Sequence, residues 1–354
     1  MSLFKKKSNS LLGIDIGASA IKLVQLEKEN GRHKLKNYGI FPLAEYLKSR
    51  NYQAYLELLK VPAKEVAGIV KKVIKEAKIK SREACVSIPV YSSFFTLIDL
   101  PNMSEKEVAA TVPFEARKYV PVPISEVILD WSIVGKSDKG SSQQILIIAV
   151  PKEIINRYKQ IIKLAGLNLW RMEAETFSLA RALVGNDKSA ITLVDAGARS
   201  VNISIVDGGF IKATHNLETG GLKIIKMISQ RMKLYPQESE KLKHTLLTTG
   251  LAEIENTEIK DMLYSILNTI ITEIKKITDS YQNKRNRKIE RYILVGGVSQ
   301  TLGLVDYFTD KLGVEVSLGD PFARVAYPSL LKSVVKELGP CLAAAVGLGM
   351  GEIQ

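Results

Sequence analysis

The feature that most constrains the fold of this chain is a short motif that occurs twice. The first copy, LLGIDIGASAIKLVQL at 11–26, is an apolar run, a turn of small residues and a second apolar run. The second copy, LVDAGARSVNISIVDGG at 193–209, repeats the aspartate, the glycine and the apolar alternation on both sides. Two strand–turn–strand motifs of this kind in one chain predict an internal structural duplication.

The turn of the first copy is typical of a phosphate-binding loop. Backbone N–H groups of Gly17, Ala18 and Ser19 are expected to point into one concavity, and their small side chains let a phosphate approach closely. Asp15 lies at the strand end and can hold a hydrated Mg²⁺, which binds few carboxylates and keeps several waters. A single hairpin of this kind is equally often a plain structural turn, so the second copy carries the interpretation.

A third element completes the pattern. The segment RYILVGGVSQTLG, at 291–303, is a buried strand that runs into Gly296 and Gly297, where a flat base and ribose could approach the backbone. In this order, the three elements resemble the phosphate-1, phosphate-2 and adenosine motifs of the actin, sugar-kinase and heat-shock-chaperone ATPase superfamily. The resemblance implies an α/β, actin-like (ribonuclease-H-like, duplicated) two-domain ATPase fold that binds ATP and Mg²⁺.

Composition excludes several other classes of protein. A chain of 354 residues is long enough for two domains. Cys85 and Cys341 are far apart, and none of the three histidines has another at metal-ligand spacing, so disulfide, zinc and histidine-base chemistry are not expected. No apolar run approaches the length of a membrane span, and no signal-type segment follows the N-terminus. We therefore expect a soluble, cytoplasmic protein.

The net charge of +13 has two interpretations. An anionic partner, either nucleic acid or a membrane surface, would explain it. An ordinary lysine-rich surface is favoured, because the lysines are spread through most predicted helices and do not alternate with aromatic residues. The run 284–288 is interpreted as a solvated helix end, and Lys5–Lys7 would bind anionic lipid only weakly.

The segment between about residues 91 and 166 does not fit a plain nucleotide-binding domain. It predicts a strand at 94–100, a helix that opens with a Ser104–Glu107 capping box and runs through Tyr119, strands at 127–134 and 144–150, and a helix at 152–165. Pro113 should kink the first helix or mark its true start. This strand–helix–strand–strand–helix unit is predicted to be an inserted subdomain.

Within the insert, the segment VPFEARKYVPVPISEVILDW at 112–131 closely resembles the FEAxKYxPxP…EVxLDx stretch of the PilM family of actin-like type IV pilus assembly proteins. The opening DIGASAIKLV also resembles that family, which is related to the cell-division protein FtsA, and the resemblance covers roughly residues 10–354. It implies the following division: 1–91, first domain; 92–168, inserted subdomain; 169–192, connecting helix of the first domain; 193–222, second domain; 223–289, helical subdomain beside the nucleotide; 290–338, adenosine motif of the second domain; 339–354, final helix returning to the first domain.

The resemblance also implies a set of site residues. In the connecting helix, predicted at 171–183, Glu175 would orient the attacking water, with Glu173 as the second choice; an acid favoured by the helix N-terminus is the alternative. Asp195 would share the catalytic role, and Asp15 and Asp195 would hold Mg²⁺. The nucleotide-binding set is Asp15, Gly17, Ala18, Ser19, Lys22, Gly197, Ala198, Arg199, Gly220, Gly221, Glu240, Lys243, Gly296, Gly297 and Val298. For Glu240 and Lys243, an ordinary solvated helix face is the alternative.

Departures from the family pattern weaken the expected chemistry. Relatives usually have a threonine and an acidic residue where this chain has Ile225 and Lys226, and a hydroxyl residue where it has Ala18 and Val201. Val298 replaces the third glycine of the last motif. Loss of a hydroxyl and an acid near the phosphates should leave binding possible and impair hydrolysis. At most, a weak ATPase is expected.

The function implied is a cytoplasmic ATP-binding scaffold of the type IV pilus assembly platform, recruited to the inner face of the cytoplasmic membrane. The family docks the N-terminal peptide of the bitopic membrane protein PilN, and by resemblance the groove would lie near Phe114, Tyr119 and Pro121. The pilus motor ATPases, the platform protein and weak self-association are further possible contacts, and nucleic acid is not expected. The alternatives are an FtsA-like filament former, disfavoured because no amphipathic helix precedes Gln354, and a sugar- or acetate-type kinase.

Overall fold

The computed structural model describes residues 9–43, 61–136 and 142–351, which form two α/β domains and a small inserted sheet. The Lys5–Lys7 cluster and the interior of the predicted 136–142 loop lie outside these ranges. The strands are β1 Ser10–Ile16, β2 Ala20–Glu29, β3 Arg32–Pro42, β4 Glu83–Ile88, β5 Phe94–Pro101, β6 Val127–Lys136, β7 Ser142–Pro151, β8 Asn168–Ala174, β9 Ile191–Ala196, β10 Val201–Asp207, β11 Phe210–Leu217, β12 Arg291–Val295, β13 Val316–Leu318 and β14 Val325–Ala326. The helices are α1 Ala63–Glu76, α2 Glu105–Ala116, α3 Lys152–Ala165, α4 Glu175–Leu183, α5 Gly221–Met232, α6 Pro236–Thr249, α7 Thr257–Arg285, α8 Leu304–Leu312 and α9 Lys332–Gly349.

The two large sheets repeat one topology. In the first domain the strand order is β14-β3-β2-β1-β4-β8, and in the second it is β11-β10-β9-β12-β13. In both sheets an antiparallel three-strand meander is followed by two parallel strands. The repeated order confirms the predicted duplication and the two-domain actin-like fold.

The first-domain sheet is covered on both faces. Alternate strand residues such as Leu12 and Ile14 pack against α1 and α3 on one face. The opposite face carries α4 and α9, which cross so closely that a Cβ on Gly347 would lie 1.9 Å from the carbonyl oxygen of Ser178. Through Ala343 and Ala344, α9 also contacts the second-domain sheet, so these two helices join the domains.

The boundaries of the insert differ from the sequence prediction. Helix 152–165 packs on α1 and on the first-domain sheet, so it is part of the first domain. The following residues, 168–174, form β8 and pair in parallel with β4, so the predicted helix at 171–183 begins only at Glu175. The insert therefore ends near residue 151 rather than 168, because the apolar face of α3 is buried by the larger sheet.

Two prolines lie inside helices. Helix α2 begins with the predicted Ser104–Glu107 capping box, continues through Pro113 and ends at Ala116 instead of Tyr119. The last helix begins at Lys332, seven residues before the 339–354 segment predicted for it. Proline removes one intrahelical donor, and neighbouring groups bond the carbonyls around Pro340: Gly296 N–H donates to its oxygen at 3.0 Å, and the Gln300 amide donates to that of Glu337.

The insert contacts both domains. Its three-stranded antiparallel sheet, ordered β5-β7-β6, packs one face on α2 and the other on α4 and the β10–β11 hairpin. Lys212 of that hairpin donates to the carbonyl of Val134 at 2.6 Å and to the side-chain oxygen of Gln144 at 2.8 Å. The insert is thus anchored to the second domain as well as to the first.

One face of the second-domain sheet carries a large apolar core. Helix α7 buries the predicted apolar face, from Ile259 to Ile274, against the sheet and against α5. This confirms that the stripe is core packing. In the described ranges, no helix combines the length and apolar character that a membrane crossing would require.

Candidate functional site

A cleft of about 350 Å³ lies between the two domains, at the ends of the central strands. The turns of both hairpins line it from opposite sides, and Gly296–Val298 closes it from the second domain. With the exception of Gly220, every residue of the predicted catalytic, nucleotide and metal sets lines this cleft. The structure therefore brings the predicted set together, and the individual roles stay predictions.

The first hairpin places a charged pair in the cleft. Asp15 and Lys22 are direct cross-strand partners on the sheet face that carries α9. The Lys22 ammonium lies 3.0 Å from Asp15 Oδ2, and the Ser87 hydroxyl donates to Asp15 Oδ1 at 2.9 Å. Both carboxylate oxygens of Asp15 thus have a donor.

The second hairpin repeats this backbone with a neutral partner. Asn202 stands opposite Asp195, at the register that Lys22 has opposite Asp15. The Asn202 amide donates to Glu175 Oε1 at 2.6 Å, and its oxygen accepts from the Asn216 amide at 2.5 Å. Asn202 therefore joins the second domain to the acid at the start of α4.

The turns use some of their own N–H groups. Gly17 N–H donates to the carbonyl of Ala20 at 3.0 Å, and Gly197 N–H donates to that of Ser200 at 3.1 Å. The expectation that Gly17 N–H points into the concavity is therefore wrong, because that donor closes the turn. The remaining N–H groups of each turn, at 18–19 and 198–199, stay as candidate phosphate donors.

The first turn of α5 is pinned to the second hairpin. Gly221 N–H donates to the carbonyl of Gly197 at 3.1 Å, and Leu222 N–H donates to that of Ala198 at 2.8 Å. Gly220 lies behind this contact, where a Cβ would come within 2.5 Å of the Ala198 oxygen. Gly220 therefore supports the turn and does not line the cleft.

Asp15, Asp195, Glu175 and Lys22 share the centre of the cleft, and the pKa values of the last three are shifted. Burial, with the nearby Asp195 and Asp15, raises the pKa of Glu175 to about 8. Burial also raises the pKa of Asp195 to about 6, against the opposing effects of Lys22 and a hydrogen bond from Asn202. Burial alone would lower the pKa of Lys22, but Asp15 and its neighbours raise it above its usual range. Near neutral pH, Glu175 is mostly protonated and Lys22 is charged.

Of the two glutamates considered, only Glu175 faces the cleft. It opens α4 and accepts a hydrogen bond from Val90 N–H at 3.2 Å, directly before the insert begins. Glu173 lies on β8 and is held by the Arg181 guanidinium at 2.6 and 2.7 Å, away from the cleft lining. Glu173 is therefore wrong as the second choice, because both of its carboxylate oxygens are bonded by the Arg181 guanidinium, which also donates to the carbonyl of Gly347 on α9.

The far end of the cleft fits the predicted base and ribose region. Lys243 and Glu240, three residues apart on α6, form a 2.8 Å ion pair at the cleft wall. Gly296 has a φ of +89°, and a Cβ there would lie 2.5 Å from the Ala196 oxygen and from Asp195 Oδ1. The glycine therefore lets the adenosine loop approach the second aspartate, as its position after a buried strand indicated.

The donor set fits a hydrated Mg²⁺ held mainly by phosphate. Asp15 and Asp195 are carboxylates on opposite walls of the cleft, and the described residues contain no cluster of three or more His, Cys, Asp or Glu able to hold a metal. Mg²⁺ usually binds through one or two carboxylates, substrate phosphates and waters. A site of that kind needs no cluster of protein ligands.

Sequence reasoning missed several residues that line the cleft, among them Tyr91, Asn202 and Cys341. The Arg199 guanidinium lies 4.1 Å above the ring of Tyr91, which connects β4 to the insert. Cys341 of α9 also lines the cleft. Asn202 could have been found by aligning the two motif copies, whereas Tyr91 and Cys341 carry no local signal.

The predicted peptide-binding residues lie elsewhere. Phe114 and Tyr119 are 64% and 52% exposed, and Pro121 is also exposed on the insert. None of the three lines the interdomain cleft. A separate cavity of about 850 Å³ lies where the first domain, the insert and the β10–β11 hairpin meet, lined by residues that include Arg32, Ser132 and Phe210.

Comparison with known proteins supplies a family for this geometry. The family model of the type IV pilus assembly protein PilM matches residues 13–353. A solved structure, described as the PilM–PilN type IV pilus biogenesis complex, superposes with a TM-score of 0.80 at 23% identity, over 96% of this chain and 97% of that one. The ethanolamine utilization protein EutJ from Carboxydothermus hydrogenoformans superposes at 0.56 with 15% identity, over 96% and 89%. The cell division protein FtsA of Streptococcus pneumoniae serotype 2 is 21% identical over 87% of this chain and 75% of its own length.

Proposed function

Because this chain belongs to the family of the type IV pilus assembly protein PilM, we propose that it is a nucleotide-binding scaffold of a pilus assembly platform. It would bind Mg-ATP in the interdomain cleft and dock the N-terminal peptide of a PilN-type membrane protein. It would act in the cytoplasm at the inner face of the cytoplasmic membrane. Contacts with the motor ATPases, with the platform protein or with a second copy are secondary parts of this proposal.

The observation that supports nucleotide binding most directly is the pair of facing hairpins. Their turns approach the cleft from both domains, with Lys22 and the N–H groups of 18–19 and 198–199 available to polyphosphate oxygens. Asp15 and Asp195 would hold Mg²⁺ through water, and Glu240 and Lys243 would flank the ribose and base. When bound, the metal would supply charge neutralisation for the phosphates.

The structure also supports slow or absent hydrolysis. Ile225 packs into the second-domain core and Lys226 points to solvent, so helix α5 brings neither a hydroxyl nor an acid to the phosphates. Glu175 has a pKa of about 8, and it accepts hydrogen bonds from Asn202 and Val90. A mostly protonated and already bonded carboxyl orients an attacking water poorly.

The docking proposal rests on the insert. The solved complex pairs a PilM with a PilN, and this chain superposes on it along nearly its whole length. Phe114 and Tyr119 are large apolar side chains left exposed beside Pro121, and such groups anchor extended peptides. The cavity beside Ser132 is the alternative position on the same insert.

Calorimetric titration with a synthetic PilN-type N-terminal peptide from the same genome, with and without Mg-ATP, tests the proposal. Binding by the native chain that is lost in Phe114→Ala/Tyr119→Ala supports the proposed surface. The variant Ser132→Trp would fill the alternative cavity, and loss of binding in that variant alone moves the docking site there. Absence of binding in both nucleotide states contradicts the docking proposal.

An FtsA-like filament former is the second candidate, because the chain is similar to an FtsA over most of its length. Sedimentation of the protein with Mg-ATP separates the two functions. Polymer that forms only with nucleotide would favour the filament, and a species that stays small under those conditions favours the scaffold.

A further inference from the structure

The outer layer of the first domain carries a concentration of positive charge that the cleft does not use. Helices α1 and α3 pack side by side on the sheet face opposite to α4 and α9, the helices that join the two domains. Residues 62–82 contain seven lysines and arginines and two glutamates. Helix α3 adds three lysines and an arginine against one glutamate. A large share of the net charge of +13 therefore lies on one face.

The charge is densest in a crevice of about 530 Å³ at the C-terminal ends of the two helices. Five exposed cationic side chains surround it: Lys71, Lys75, Lys78, Lys80 and Arg82. Its floor is apolar and is formed by Ile74, Ile79 and Ala165. Among the described residues that line it, none is acidic, so the cations face solvent without a carboxylate inside the crevice.

The outer helix of the second domain does not carry the same excess of positive charge. This helix, α7, borders a cavity of about 570 Å³ lined by Asp261, Glu273 and hydroxyl and amide side chains. Lysines occur on helices of both domains, as the sequence predicted, but α7 carries five lysines and arginines against four acids, whereas residues 62–82 carry seven against two. An uneven distribution indicates a partner on one side of the molecule.

We propose that the outer face of α1 and α3 binds the surface of an anionic phospholipid bilayer. Six of the seven cations in 62–82 are lysines, whose point charges suit a field of mobile headgroups. Each lysine near such a surface strengthens binding about fivefold. The lysine stems can lie on the apolar floor of the crevice while their ammonium groups reach the headgroups.

The same face is poorly suited to nucleic acid. Single-strand binders interleave cations with aromatic rings on which bases stack, and the described residues lining the crevice include no aromatic side chain. Sequence-specific duplex contacts favour arginine, which is a minority here. Lipid is therefore the occupant that the composition of the face favours.

Co-sedimentation of the full chain, without nucleotide or peptide, with vesicles of phosphatidylglycerol and phosphatidylcholine tests the proposal. We expect binding that is absent with phosphatidylcholine alone and that weakens as salt is raised to physiological levels. Lys71→Glu/Lys75→Glu/Lys80→Glu should weaken binding on the order of a hundredfold. The matched control Lys275→Glu/Lys276→Glu/Lys284→Glu changes the net charge equally on α7, and should weaken binding less than about threefold.

Three outcomes would overturn the proposal: no binding to anionic vesicles, an equal loss in both triple variants, or tighter binding of the chain to duplex DNA or RNA than to anionic vesicles at equal phosphate concentration. Circular dichroism melting checks that both variants fold, and the glutamine versions replace any that does not. The inference does not depend on the pilus proposal. Vesicle binding and peptide titration use separate ligands, so the failure of one is distinguishable from the failure of the other.

Discussion

In the first hairpin the residue paired across from the aspartate is Lys22, and in the second hairpin the residue at the same register is Asn202. The backbone is otherwise repeated, since each turn closes through a glycine N–H to the carbonyl three residues later, at 3.0 and 3.1 Å. Lys22 forms an ion pair with Asp15, whereas Asn202 offers only hydrogen bonds. Asp15 therefore has a cation directly beside it, whereas burial raises the pKa of Asp195 to about 6 despite the more distant Lys22 and a hydrogen bond from Asn202.

This difference shows that the two copies of the motif share a backbone but differ in charge. The first has an ammonium opposite its aspartate, and the second has a neutral amide there. The Lys22 ammonium in the first hairpin interacts electrostatically with Asp15, Asp195 and Glu175. The second hairpin contributes the Asn202 amide, which links Glu175 to Asn216. Among the described cations that line the cleft, Lys22 is the one paired with a central carboxylate, while Arg199 and Lys243 line its walls. The four predictions below test that asymmetry.

The largest effect is expected from Lys22→Asn, which makes the first hairpin match the second. Near neutral pH the free energy of unfolding should fall by about 3–4 kcal/mol, because removing one partner leaves the buried carboxylate uncompensated. The loss should be smaller at about pH 5, because Asp195, with a pKa of about 6, is then mostly protonated and less negative charge lies near the missing ammonium. Urea denaturation at both pH values measures it. Lys28→Asn, on an exposed part of the same strand, should change stability by less than about 0.5 kcal/mol. An equal loss at both pH values would contradict this interpretation.

Glu175→Gln should flatten the dependence of stability on pH. Burial raises the pKa of Glu175 from 4.5 to about 8, so in this range the folded chain keeps a proton that the unfolded chain releases. The free energy of unfolding of the native chain should therefore fall as pH rises from 4.5 to about 8, at up to about 1.4 kcal/mol per pH unit from this group. Denaturation curves of both proteins across this range test the sign, and parallel pH profiles would refute it.

Gly296→Ala tests how closely the adenosine loop approaches the second hairpin. With φ at +89° and a Cβ 2.5 Å from Asp195 Oδ1, alanine should cost about 2 kcal/mol and displace the aspartate. At the neighbouring Gly297, the nearest atom to an added Cβ is Cys341 Sγ, 4.0 Å away, so Gly297→Ala is the matched control and should be nearly neutral. Thermal melting of the two variants compares them, and similar losses would contradict the close approach.

The smallest effect concerns the contact between Arg199 and Tyr91. A double-mutant cycle with Arg199→Met and Tyr91→Leu should give a coupling energy of about 0.5–1 kcal/mol, as expected for a partly desolvated cation–π pair. The cycle separates this contact from the 3.9 Å pair that Arg199 makes with Glu218. A coupling energy near zero would show that the second hairpin does not hold the connection to the insert.

Much of the fold was predictable because its signals are local. The repeated motif, the capping box at Ser104 and the apolar stripe of α7 each depend on spacing within one segment, and all three appear in the structure. The cleft set was predictable for a related reason, since turns at equivalent positions of duplicated sheets face each other. Boundaries were less accurate where a segment could join either of two neighbours, as helix 152–165 shows.

The sequence by itself therefore determined the duplicated α/β architecture, the family resemblance and the residues that meet between the domains. Only the tertiary structure decided which N–H groups the turns retain, which glutamate faces the cleft and how far burial raises the pKa of Glu175 and Asp195. It also decided that the lysines of α1 and α3 share one outer face. The physical reason is that hydrogen bonding and burial depend on residues far apart in the chain. Asn202 with Glu175, and Val90 with Glu175, are contacts of this kind, and no pattern within either segment encodes them.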